Sequence, residues 1–423
     1  MTTSTTARRT EPRWSEVESI VGAAHFRPTA MVDTVDGVTP AFVAVPESTE
    51  QISEVLKWAG AAEVAICVRG GGTKMRWGNI PRRADLVLST ERMVGVVEHV
   101  WEDLTFTVKA GTTIGEVQGQ LGTHRQRLAL DPLWPDRATV GGVIAANDSG
   151  PLRLRFGGVR DLVLGVTIVL ANGTLARSGG KVVKNVAGYD LPKLMVGSYG
   201  TLGVITEATF RAHPIPNSVR TLSFEFGDIE AANRFMLAIA DSALVPAGMQ
   251  LQYPVGDRPT VDVRFEGVIV GIEAQAKQAN SLAAGARDSA PAANYWSAGE
   301  SLWDSSSQFV IGKFSVLPSR IASAIQLFSR HLIRSRFIVQ STGLGLFRAE
   351  YGSVEQLIAN IRKVVSALSQ EGGTITLLEL PVEPKQQIDV FGPPRDSQRL
   401  MVRLKQHFDP MGTLNPGRFV GGI

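Results

Sequence analysis

Between residues 41 and 70 the apolar positions change period twice. Residues 41–45 form a short apolar run ended by Pro46, which reads as a strand. Ile52, Val55, Leu56 and Ala59 then recur at helical spacing behind Ser48 and Gln51, a capping-box pair, and Gly60 is expected to stop that helix. Residues 64–68 are apolar throughout and predict a buried strand that runs straight into Arg69 and three consecutive glycines. Further on, residues 86–88 and 105–109 read as strands. Thr113 with Glu116 forms a second capping box, opening a helix over 114–121. Residues 162–170 predict a buried strand closed by the hairpin-type pair Asn172-Gly173. Residues 131–151 read as glycine-rich loop, with Arg153 and Arg155 on a solvated strand face. Asp190 caps a short helix reaching Gly197.

After Pro214-Ile215-Pro216 the texture changes. Helical patterns at 231–239, 321–332 and 354–370 alternate with strand patterns at 221–226, 260–270 and 374–380, as in an α+β domain. A turn-rich segment with one helix over 398–406 follows. The expected division is an N-terminal extension (1–38), a first domain of two α/β subdomains (39–216), an α+β cap (217–390) and a C-terminal segment (391–423). The length of 423 residues suits two or three domains.

Composition narrows the function classes. The 43 Lys and Arg nearly balance the 40 Asp and Glu, and no block of five like charges argues for a nucleic-acid surface. Cys67 is the only cysteine, which excludes an internal disulfide, a cysteine-ligated zinc site and an iron–sulfur cluster. It reads as a buried strand residue. The first 13 residues read as disordered. The pair Arg8-Arg9 lacks the apolar region an export signal needs. The longest apolar stretch, 162–171, falls well short of the ~20 residues of a spanning helix. The expectation is a cytoplasmic protein, with peripheral attachment at the inner membrane through partners left open.

Three glycines in a row need a reason, because glycine costs backbone entropy and packs nothing. They let successive amides converge on an anion, and Arg69 and Lys74 flank them with positive charge. Taken alone, the same residues also make a plain tight turn. Two nucleotide motifs fail. Gly179-Gly180-Lys181 is followed by Val182, which is no P-loop, and Gly197, Gly200 and Gly203 have the wrong spacing for a dinucleotide fingerprint. Four segments strengthen one another by their order: Gly70-Gly71-Gly72-Thr73, residues 139–147 (TVGGVIAAN), residues 200–207 (GTLGVITE) and Leu414-Asn415-Pro416-Gly417-Arg418.

This set resembles the FAD-binding family of the vanillyl-alcohol oxidase and p-cresol methylhydroxylase (PCMH) type. The stretch 179–200 (GGKVVKNVAGYDLPKLMVGSYG) is similar, more narrowly, to the FAD-binding E-type subunits of glycolate oxidases. The resemblance covers residues 40–216 and 407–419, and 217–390 only loosely. It implies an α+β fold with a PCMH-type FAD module, a cap, and a tail that returns to the flavin. It implies that Arg69, Gly70, Gly71, Gly72, Thr73 and Lys74 wrap the FAD diphosphate. Thr139, Gly141, Gly142, Ala145 and Asn147 would line the diphosphate, ribityl and flavin region. Gly203 and Ile205 would hold the adenosine, and Asn415 would approach the isoalloxazine. Covalent members commonly carry a histidine in the first glycine loop; Thr73 and Lys74 stand here, so the flavin is expected to be non-covalent.

Two departures shape the functional expectation. Related D-2-hydroxyacid dehydrogenases carry metal-binding histidines in the second domain, yet the corresponding residues 341–348 (STGLGLFR) contain neither histidine nor aspartate, and no metal site is expected. Tyr199 stands where the catalytic type reads glutamate. Both point to a flavin-bearing subunit that acts on glycolate or a similar 2-hydroxy acid. The implied partners are a homologous catalytic flavin subunit and an iron–sulfur subunit, with quinone as the eventual acceptor. A stand-alone FAD oxidoreductase and a non-catalytic subunit are the alternatives. No catalytic residue is assigned. Lys313, Arg348, Trp296 and Trp303 read as ordinary surface, ion-pair or core residues.

Overall fold

The computed structural model of the chain describes residues 12–180, 190–283, 285–289, 295–303 and 308–423. The strand Ile66–Arg69 forms one edge of a four-stranded sheet, followed by Leu86–Ser89, Phe42–Ala44 and Phe26–Pro28. The first three run parallel. The helix Thr49–Ala61 makes the crossover and buries Ile52, Val55, Leu56 and Ala59. Ser48 Oγ accepts the Gln51 N–H, while the Gln51 carboxamide turns to the Glu47 N–H, so the expected box is completed one residue early. The helix passes through Gly60 and ends at Ala61; Glu63, at φ 52°, reverses the chain instead.

The second subdomain is a five-stranded antiparallel sheet ordered Val96–Val100, Thr105–Lys109, Val204–Arg211, Val163–Val169, Leu175–Gly179. Thr113 and Glu116 satisfy each other's end of the helix Ile114–Gly122 in a full capping box. Within the expected loop at 131–151 lies the helix Val140–Ala146. Its Val140, Val143 and Ile144 face the core at helical spacing that Gly141 and Gly142 obscure in the sequence. Leu162 belongs to a helical turn, Val159–Leu162, and Arg153–Phe156 is another turn rather than a strand. Four residues fit either period. Residues 181–189, which carry much of the E-type stretch, lie outside the described residues.

The cap is an eight-stranded antiparallel sheet with helices Ile229–Ala240, Ile269–Leu282, Ile321–His331 and Val354–Gln370. The strand expected to reach residue 270 stops at Gly267, and Ile269 starts a helix. The β-branched run Val268-Ile269-Val270 imitates a strand but lies exposed. Strand side chains alternate between faces. Met249, Val263, Phe265, Phe314, Val339 and Phe347 enter the main cap core. Their sequence neighbours Gln250, Arg264, Lys313, Gln340 and Leu346 face the other way, toward loops of the first domain. A cavity therefore forms under the cap sheet.

Candidate cofactor and substrate site

Gly70 and Gly71 lie flat against the segment that precedes the helix Val140–Ala146. A Cβ on Gly70 would stand 2.1 Å from Thr139 Oγ1, and one on Gly71 1.8 Å from the Arg137 carbonyl oxygen. Gly72 supplies a left-handed turn at φ 73°. Side chains are thus excluded here, at Gly70 by the Thr139 side chain and at Gly71 by backbone. The loop's amides stay available: among the described residues, the N–H groups of Gly70, Gly72, Thr73 and Lys74 have no acceptor in the chain. Four unsatisfied donors on one turn make a cradle for an anion.

Gly70 through Lys74 converge with Thr139, Gly141, Gly142, Ala145, Gly203, Ile205 and Asn415 on one cavity of about 100 Å³. Arg69 and Asn147 lie outside its lining. Asn147 ends the helix Val140–Ala146 at φ 49°, and its carbonyl faces Lys313 Nζ at 3.4 Å. Thr90, Tyr199, Gly200 and Arg418 line the same cavity, and the sequence reading did not place them there. Asn415 is a clamp. Its Oδ1 accepts the Val68 N–H, and its Nδ2 donates to the carbonyls of Tyr199 and Gly200. Gly200, at φ 67°, is forced to be small because a Cβ would sit 2.6 Å from Asn415 Nδ2. Tyr199 is also left-handed, at φ 53°, and its ring packs on Phe391 and Phe419.

The charges do not stand where the sequence suggested. Arg69 reaches Asp33 at 2.5 Å, and Arg27 holds the same carboxylate. Hydrogen bonds from Arg27, then from the Ala30 N–H and Arg69, hold that carboxyl well below the usual range. Lys74 pairs with Asp148 at 3.0 Å, both side chains nearly buried.

Beside the cradle lies a larger cavity of about 420 Å³, walled by loop residues 130–135 and 148–152, by Trp77, and by the cap sheet. The two cavities meet at the Lys74–Asp148 pair, since Lys74 lines one and Asp148 the other. Lys313 lines the larger one, and desolvation lowers its ammonium below the ordinary lysine value. Asp131, half-buried at the wall, accepts the N–H groups of Gly150 and Leu152 and Nε1–H of Trp296, pinning the cap to the loops. Desolvation nevertheless pushes its carboxyl up to about 7. Arg127 and Arg264 share Glu266, leaving one excess positive charge, and Gln340 Oε1 is buried without a donor.

The other sequence candidates separate. Trp303 stacks with Trp77 and meets Trp134 edge-on near the cavity. Arg348 is buried, donating to the Leu302 carbonyl and lying over the Phe309 ring. Cys67 is buried in its strand. No histidine lines either cavity, and among the described residues no three His, Cys, Asp or Glu side chains gather as a metal site. No helix of the described residues is long and apolar enough to cross a membrane.

Residues 40–179 match the family described as FAD binding domain, and residues 395–419 match FAD linked oxidases, C-terminal domain. The cofactor is FAD. The free amides of the glycine loop fit its diphosphate, and the loop belongs to the matched segment. Solved structures similar in fold include alkyldihydroxyacetonephosphate synthase (TM-score 0.74, 18% identity, covering 95% of this chain and 85% of that one). Another is p-cresol methylhydroxylase (TM-score 0.73, 15% identity, 96% and 95%). The α+β, PCMH-type fold expected from the sequence is therefore the fold observed. Glycolate oxidase subunit GlcD of Bacillus subtilis is 35% identical over 56% of this chain and 50% of its own length. Glycolate oxidase subunit GlcE of Escherichia coli is 35% identical over 47% and 55%. Mitochondrial D-2-hydroxyglutarate dehydrogenase of Rattus norvegicus is 28% identical over 88% and 76%. The chain spans about half the length of most curated relatives it matches. The sequence relatives thus include proteins named for glycolate and D-2-hydroxyglutarate, whereas the fold is shared with proteins of other names.

Proposed function

We propose that this chain is the FAD-binding subunit of a glycolate oxidase-type complex, oxidising glycolate or a similar 2-hydroxy acid to the 2-oxo acid. The observation that carries the proposal is the second cavity. It adjoins the FAD cradle, is walled in part by tryptophans and aliphatic side chains, and offers Lys313, a lysine without a carboxylate in an ion pair among the described residues, beside Gln250 and Gln340 of the cap sheet. FAD, when bound, accepts the hydride that leaves the hydroxyl-bearing carbon. In this reading the amides of Gly70–Lys74 hold the diphosphate, with Thr139, Gly141, Gly142 and Ala145 along the ribityl and flavin region. Gly203 and Ile205 bind the adenosine side, and Asn415 fixes the tail against the cradle. Lys313 pairs with the substrate carboxylate, and Gln340 Oε1 takes the hydroxyl's hydrogen bond. Trp77, Leu133 and Leu346 keep water away, which strengthens the Lys313 contact.

The flavin is held without a covalent link, Thr73 and Lys74 occupying the positions after the glycines. The partners in this reading are a homologous catalytic flavin subunit and an iron–sulfur subunit that passes electrons to quinone. A second reading, a self-sufficient 2-hydroxy acid dehydrogenase, draws on the similarity to D-2-hydroxyglutarate dehydrogenase, which runs through the cap. Anaerobic titration with glycolate separates them. Bleaching of the flavin only when the partner subunits are present supports the subunit; bleaching of the isolated chain supports the second reading. Acid precipitation is expected to release yellow flavin, and flavin that stays with the pellet overturns the non-covalent assignment.

A further inference from the structure

A diphosphate brings two negative charges into the cradle, and loop amides alone offer only dipoles. The cations beside the loop are already engaged: Arg69 faces Asp33 and Lys74 faces Asp148. Arg418 is different. It is 4% exposed and lines the same cavity as the four free amides. Its Nη2 is held by the carbonyl oxygens of Met75 and Trp77, which fixes the guanidinium against the end of the glycine loop. Its Nη1 has no acceptor in the protein. The Cys67 thiol beside it is a weak acceptor, and burial pushes that thiol up, so it stays protonated and uncharged. No carboxylate forms an ion pair with Arg418 among the described residues. A buried guanidinium with neither a counter-charge nor a full set of acceptors is costly unless a ligand completes it.

We infer that Arg418 is the charge partner of the FAD diphosphate, its guanidinium donating from the C-terminal tail to a phosphate oxygen held by the glycine loop. This rests on the FAD reading and extends it: the tail closes the cradle and supplies its only uncommitted positive charge among the residues lining it. Arg418 shares its cavity with the glycine loop and is absent from the lining of the larger one, which sets its guanidinium beside the phosphates.

The experiment measures binding of FAD, ADP and riboflavin to apoprotein by calorimetry and flavin fluorescence, for the native chain, R418M and R418K. ADP carries the diphosphate without the flavin, and riboflavin the flavin without the diphosphate. Loss of one charge-assisted contact predicts about 10- to 100-fold weaker FAD and ADP binding in R418M. Riboflavin binding stays unchanged, and R418K recovers most of the loss because its ammonium still reaches the phosphates as a point charge. If R418M loses its folded thermal transition, R418K alone decides. Its ADP affinity then stays within about one order of magnitude of native, with a steeper salt dependence than the native chain shows. ADP affinity unchanged in R418M overturns the inference and leaves the FAD reading intact. A lowered flavin midpoint potential with unchanged ADP affinity moves the guanidinium to the ring and also overturns it. Failure of the native chain to take up FAD sinks the cofactor reading itself.

Discussion

The cradle is lined by seven glycines, and the cavity beside it mostly by larger side chains. Around the cradle, Gly70, Gly71 and Gly200 are small because a Cβ at each would collide with Thr139, Arg137 or Asn415. Their service is close approach, and what the loop offers is N–H groups common to every residue. Under the cap sheet the backbone is ordinary antiparallel ladder, and the cavity is lined by Lys313, Gln340 and Leu346, delivered by alternation on separate strands, with Trp296 added from the helical segment Tyr295–Trp303. The contrast teaches where each site is vulnerable. The cradle tolerates no added volume, whereas the cavity tolerates volume and depends on chemistry.

The largest expected effect tests the cradle. Gly71→Ala drives a methyl into the Arg137 carbonyl, so the protein should purify colourless and fail to reconstitute with FAD, at an overpacking cost of about 1–3 kcal/mol in the apoprotein. A yellow G71A breaks the argument from close approach. Next is the tail clamp. Lys405 and Asp409 form a nearly buried pair at 2.6 Å, and Lys405 also donates to the carbonyls of Thr201 and Leu414. Lys405→Met strands Asp409, and denaturant unfolding should show a loss of roughly 3–5 kcal/mol; native stability would mean the tail is held by other contacts.

The cavity is probed by Lys313→Met. FAD content should match the native chain, while kcat/KM for the 2-hydroxy acid in the assembled enzyme falls by roughly 2–4 kcal/mol. Equal kcat/KM removes Lys313 from substrate binding. Asp131 gives a gentler test through pH. Its folded carboxyl is raised to about 7 against an ordinary value near 3.8. The folded state therefore holds the proton longer than the unfolded chain does. Its stability contribution is full below about pH 4 and is lost as pH rises through 7. In Asp131→Asn the thermal midpoint between pH 4 and 8 should decline less than in the native chain; parallel curves would show that the carboxyl ionises normally. The smallest effect is Thr113→Ala, which removes the cap of the helix Ile114–Gly122 and should cost about 1 kcal/mol without changing FAD affinity.

The same contrast explains how much was legible. Backbone service leaves a compositional trace, so Gly70–Gly72, Gly141-Gly142 and Gly203 stand out, and the capping residues Thr113 and Asp190 mark their helices where the structure has them. The cap cavity leaves none. Lys313 and Gln340 lie on separate strands, and only the pairing of each with the strand Leu344–Glu350 or its neighbours brings them under one roof. Charge pairing was equally hidden. Asp33 lies 36 positions from Arg69 and Asp148 far from Lys74, so the loop's flanking cations looked available when they were not. Arg418 was in plain sight within the Asn415-Pro416-Gly417-Arg418 motif, but nothing in the sequence says that its Nη1 is left over. Short elements failed for a different reason: Arg153–Phe156 is too brief for periodicity to separate a turn of helix from a strand.

The return of the tail has a consequence for the order of events in synthesis. The Ile66 N–H donates to Thr413, the Asn415 N–H donates to Ile66, and Val68 waits for an Asn415 side chain 347 positions away. At roughly 5–20 residues per second, the edge strand beneath the glycine loop stays unpaired for on the order of 20–70 s of translation. An unpaired sheet edge of that kind is a template for association with other chains. Newly made protein therefore passes through an interval in which the glycine loop sits on a strand with one open edge. A cavity lined by Asn415 and Arg418 together with the glycine loop is complete only once the tail has been made.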